Sequence, residues 1–150
     1  MPTTFASDEW IDALWAQLRT DDAVRSAGTT WAHGPLLLVI EPEADKGLTE
    51  TVALRLDIHE GEARDLRRAE VAAASRTPFA IAGPYSRWKA AIQGTVDLVD
   101  AILQGKVRVK GDLPTLKLHK PLLAAVLAAA ARVETEYPDD VLAKEPAATR

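Results

Sequence analysis

The chain's three histidines, His33, His59 and His119, lie far apart, and none falls in an H-E-x-x-H or other metal-binding spacing. His59-Glu60-Gly61-Glu62 sets acids beside a histidine, which fits an exposed turn. With no cysteine there is no thiol nucleophile, disulfide or thiolate metal site. Asp112 stands before Leu113-Pro114, where it fits a helix cap better than a catalytic acid. Gly83, Gly94, Gly105 and Gly111 are too widely spaced for a phosphate-cradling loop, and they fit helix ends and strand entries instead. No nucleophile–base pair emerges. The expectation is a protein that is not an enzyme and uses no metal or cofactor.

The remaining chemical signal is charge. Lys106, Arg108, Lys110, Lys117 and Lys120 stand against a single acid, Asp112, in a chain whose net charge is −4. Two readings fit. The segment attracts an anionic head group, a coenzyme A phosphate or a membrane surface; or it is a solvated face, with edge lysines that discourage strand pairing. Nucleic acid is not an expected partner, because the chain is not basic overall.

These residues must be positioned by one domain, since 150 residues suffice for a single core. No apolar run approaches the ~18–20 residues of a spanning helix. The first residues lack a leader pattern, and the last are not a peroxisomal S-K-L address. Together with the missing cysteine, this sets a cytoplasmic expectation.

Ser7-Asp8-Glu9 opens a helix with Ile11, Leu14, Trp15 and Leu18 on one face. Thr20-Asp21-Asp22 breaks or re-caps it, and Gly28 ends the helical region. Leu36 to Ile40 is continuously apolar and short, a strand covered on both faces. Thr51 to Ile58 alternates, a half-buried strand. Glu62 to Arg76 has helix propensity but fits neither period. Thr77 to Ala82 is a strand; a helix with Tyr85, Trp88 and Ile92 follows, stopped by Gly94. A second short helix carries Leu98, Val99, Ile102 and Leu103 to Gly105. Residues 106–110 alternate as a basic strand. After a turn holding Leu116 and Leu118, Pro121 starts a helix predicted from Leu122 to Glu136, with a loose tail over 138–150.

The order strand, Gly83, helix with Trp88, Gly94, helix with Asp97, then Gly105-Lys106-Val107-Arg108-Val109-Lys110-Gly111-Asp112 resembles the sterol carrier protein type 2 family. The resemblance extends over about residues 8–135. It implies an α+β fold: a five-stranded, largely antiparallel sheet covered on one side by helices, forming one domain over residues 1–137. It implies that Glu62 to about Val71 is a strand despite its propensity. It also implies an apolar tunnel for fatty acids, acyl chains, sterols or other lipids. Residues placed to line it are Phe79 and Ile81, Trp88 and Ile92, Val99, Ile102 and Leu103, Val107 and Val109, Leu118, and Leu122, Val126 and Leu127. At helical spacing the same residues also read as ordinary core. The function expected is non-catalytic lipid binding and transfer; a closed accessory domain serving a partner protein is the alternative. The five cations suit transient contact with a membrane surface, and an apolar tunnel mouth also suits a homodimer.

Overall fold

The computed structural model describes residues 2–144. Its central sheet is built from β2 (Leu36–Glu41), β3 (Val52–His59), β4 (Glu62–Ala69), β5 (Phe79–Pro84) and β6 (Arg108–Lys110) in the order β4-β3-β2-β5-β6. Within this sheet the β2–β5 pair is parallel and the other three are antiparallel. The fold is α+β, as expected.

β2 is apolar throughout because it lies at the centre with both faces covered. Leu36, Leu38 and Ile40 face the helices. Leu37 and Val39 face a smaller cluster with Ala53 and Ala80, roofed by Ala73 and Ala74 of a 3-10 segment, Val71–Arg76. Lys110 holds this roof, its Nζ donating to the carbonyls of Ala74 and Thr77 at 2.5 and 2.9 Å. β3 alternates as predicted: Val52, Leu54, Leu56 and Ile58 are buried, whereas Arg55 and Asp57 are half-exposed.

β4 overrides its helix propensity. A two-residue turn at Glu60 and Gly61, both with positive φ, folds it back on β3, and such turns match strand twist. Leu66 is buried opposite Leu56, and Arg68 reaches the helix side to donate to Ala6 O (2.7 Å) and Asp8 Oδ1 (3.1 Å).

The helical layer comprises α1 (Asp8–Leu18), α2 (Asp22–Ala27), α3 (Tyr85–Ile92), α4 (Leu98–Leu103), α5 (Leu113–Leu118) and α6 (Lys120–Ala131). Ser7, Asp21, Asp97 and Asp112 cap α1, α2, α4 and α5 through their side chains. Asp112 thus has the capping role expected of it.

Two expectations about the C-terminal region need correction. The last long helix stops at Ala131, because Thr135–Glu136 extends as β7 and pairs in parallel with β1 (Thr3–Thr4). Residues 138–144 are no loose tail: Pro138–Lys144 forms α7. Its first turn is held by Asp139, which accepts from Tyr85 Oη at 2.5 Å and from Lys89 Nζ at 2.9 Å. The rest of the expected tail, 145–150, lies outside the described residues.

Candidate functional site

α3, α4 and α6 meet along a cleft of about 390 Å³ at the rim of the helical layer. Each wall is fixed by identifiable contacts. α3 has no side-chain cap of its own, since Pro84 precedes it; Glu43 Oε1 accepts from the Ser86 amide at 2.6 Å instead. Trp88 pins α3 to the sheet, its Nε1 donating to Val39 O at 2.9 Å. Gly94 ends α3 with φ +79°. Asp97 caps α4, its Oδ1 accepting from the Asp100 amide at 3.1 Å. α6 buries Leu122, Val126, Ala129 and Ala130 in the core and turns Leu123, Ala124, Leu127, Ala128 and Ala131 to the cleft. The small alanines leave the space that larger side chains would fill.

The cleft is apolar except for Gln93, Asp97 and Lys120. Lys120 Nζ lies 3.2 Å from Asp97 Oδ2 at its edge. Partial burial pushes the Asp97 carboxyl up, but the Asp100 amide and Lys120 outweigh it and hold it below the usual carboxylate range. The cleft lining holds no serine, threonine, cysteine or histidine. It can enclose hydrocarbon and offer one ion pair to a polar end.

A profile of the SCP-2 sterol transfer family matches residues 17–124. The chain belongs to that family. The match spans the whole five-stranded sheet, α3, α4 and the start of α6. Among solved structures, a sterol carrier protein 2 aligns with a TM-score of 0.73 at 24% identity, over 86% of this chain and 98% of that one. A conserved hypothetical protein of Thermus thermophilus, described as possibly a sterol carrier protein, gives 0.74 at 22%, over 91% and 94%. Sterol carrier protein 2 of Yarrowia lipolytica gives 0.58 at 13%, over 88% and 97%. These likenesses show the fold. No curated protein matches the chain significantly. For an SCP2 domain, membership implies lipid binding or transfer in general.

Of the predicted lining residues, Ile92, Val99 and Leu127 line the cleft. Phe79, Ile81, Trp88, Ile102, Val107, Leu122 and Val126 are buried in the continuous core behind it, and Val109 packs half-buried against that core. Leu103 and Leu118 are a correction. At 55% and 80% exposed, in the last turns of α4 and α5, they face solvent and line no interior space. The cleft residues that sequence reasoning missed include Ala91, Gln93, Val96, Leu98, Leu123, Ala124, Ala128 and Ala131. For Leu123, Ala124, Ala128 and Ala131 the signal was the second face of α6, where alanines recur at helical spacing.

The basic segment divides. Arg108 pairs with Glu41, Lys110 holds the 3-10 roof and Lys120 pairs with Asp97. Lys106 and Lys117 have no ion pair among the described residues. His119 is structural: Nδ1 donates to Thr115 O at 2.8 Å, and Nε2 is hydrogen-bonded with Thr30 Oγ1 at 3.1 Å. Its ring packs edge-on against Trp31 and His33. His59 stands half-exposed at the turn, 3.8 Å from Glu60.

A second polar cluster lies under α7. Burial and the Asp139 carboxylate push the Tyr85 hydroxyl far above its ordinary value, so it stays protonated and donates. Partial burial pulls Lys89 down, but Asp139 and Asp140 outweigh it and raise it. Lys89 also lies 5.0 Å from the Tyr137 ring centre. These groups are paired with one another and serve to dock α7.

Proposed function

We propose that this domain binds a single apolar lipid chain non-covalently in the α3–α4–α6 cleft and carries it without catalysis. The observation that carries this reading is an apolar cleft of ligand-binding size, about 390 Å³, in a chain of the SCP-2 family. Each buried CH₂ contributes roughly 0.8 kcal/mol, so a chain of about 12 carbons grosses on the order of 10 kcal/mol. Ordering costs reduce this to near-micromolar binding, about −8 kcal/mol. Transfer requires a surface. Lys106 and Lys117, with the exposed Leu103 and Leu118, supply the contact with an anionic bilayer; the other three cations are engaged within the fold.

Native mass spectrometry of gently purified protein, followed by lipid extraction, tests the reading. A discrete added mass matching an extracted lipid supports it. A bare mass, with no rise in melting temperature when fatty acids, acyl thioesters and sterols are added, refutes it. The core behind the cleft is continuously packed, which favours the closed accessory domain should that result be found.

A further inference from the structure

The two charged side chains of the cleft sit together at one end. Lys120 begins α6 and Ala131 ends it, and both line the cleft. Eleven helical rises separate them, about 17 Å. At about 1.2 Å per bond, as in an extended backbone, that length takes roughly 14 bonds, a chain of about 15 carbons. Polarity is therefore concentrated at the Lys120 end of a chain-length groove.

The two partners are not equally committed. Asp97 uses Oδ1 to cap α4 and Oδ2 to meet Lys120. The ammonium has three donors, and the contact with Asp97 accounts for one. Its side chain remains 49% exposed. Lys120 also lies in the first turn of α6, which contains no acid and has no side-chain cap. A cation there adds to the positive end of the helix dipole. The cleft mouth thus has unused donors and a local field that favours an acceptor with negative charge.

We propose that Asp97 and Lys120 form the head-group site of the cleft, with Lys120 binding the carboxylate of a single-chain fatty acid and Asp97 competing with it. The assignment rests on the reading that the cleft holds an apolar chain. Asp97 is then a specificity residue: it holds the ammonium at the mouth and limits how strongly an anionic head is preferred over a neutral one.

The test compares dodecanoate, dodecanol and dodecylamine, titrated into wild-type protein, Lys120→Gln and Asp97→Asn, with binding read by native mass spectrometry and tryptophan emission. Asparagine caps a helix as well as aspartate, so Asp97→Asn keeps α4 while freeing Lys120. Wild type should bind the acid about tenfold more tightly than the alcohol, the size of a charge-assisted hydrogen bond discounted for solvent. Lys120→Gln should abolish that preference, and Asp97→Asn should widen it several-fold. A purely structural ion pair would leave the acid-to-alcohol ratio unchanged in both variants, and that result would overturn the assignment. Preference for the amine would overturn it too, by making Asp97 the head-group residue. If none of the three chains binds, the cleft reading itself fails; if acid and alcohol bind equally, only the head-group assignment fails.

Discussion

Gly61 and Gly94 have nearly the same backbone, φ +87° and +79°, but different surroundings. An alanine Cβ at Gly61 would lie 2.2 Å from Arg25 O of α2, whereas one at Gly94 meets nothing within 4 Å. The left-handed conformation costs about 1–2 kcal/mol for alanine at either site. A stiffer unfolded chain offsets about 0.4–1 kcal/mol of that. Gly94→Ala should therefore destabilise by about 1 kcal/mol. Gly61→Ala must also push the β3–β4 turn off α2, against the Glu60 amide bond to Trp31 O at 2.7 Å. Overpacking of this kind adds roughly 1–3 kcal/mol. Urea unfolding followed by circular dichroism measures both losses, and an unchanged m-value shows that the surface exposed on unfolding is the same in the variants. Equal losses in the two variants would refute the claim that the backbone contact with Arg25 constrains this turn.

Three further outcomes are expected. Asp139→Asn should cost about 1 kcal/mol near neutral pH, the value of a charge-assisted bond discounted for solvent. Partial burial pushes the Asp139 carboxyl up, but Tyr85 and Lys89 outweigh it and hold it below its ordinary value. Its contribution is therefore complete above the ordinary carboxylate range and disappears as pH falls through the depressed folded value. Chemical denaturation across an acid series should show the variant and wild type converging there. Leu122→Ala removes a fully buried side chain behind the cleft and should cost about 2–5 kcal/mol, whereas Leu127→Ala widens the open cleft and should cost under half as much while favouring longer chains. Thermal melts and a chain-length series separate the two. A variant keeping Trp88 alone, with Trp10, Trp15 and Trp31 replaced by phenylalanine, should report chain binding, because Trp88 lies one helical turn before Ile92 of the cleft. Unchanged emission on saturation would separate the chain from α3.

The sheet was largely legible because burial leaves its mark on period. β2 read as covered on both faces and β3 as half-buried, and both are so. β4 was not legible from its own residues. Glu62-Ala63-Arg64-Asp65-Leu66-Arg67-Arg68 favours a helix, and its strand state depends on the turn at Glu60-Gly61 and pairing with β3. A register shift between Asp57 and Ile58 further blurs the alternation. The cleft escaped for a different reason. Apolar stripes identify what a helix buries, and the stripe of α6 that carries Leu122 and Val126 is core; the cleft lies on the alanine-rich side. The docking of α7 depends on Tyr85 and Lys89, whose meeting with Asp139 is a property of the assembled fold.

The pairing of Thr3 with Thr135 has a consequence for how the domain is made. A nascent chain emerges from its N-terminus, so β1 must wait for nearly the whole domain before its partner exists. Closing so long a loop is an entropic cost that local helices do not bear. Phe5 and Trp10 belong to the region completed by that closure: Phe5 packs on Tyr137, and Trp10 Nε1 donates to Thr135 Oγ1 at 2.9 Å. Until Thr135 and Tyr137 are made, these two rings lack part of their cover, so the β1–β7 edge is among the last parts of the domain to close.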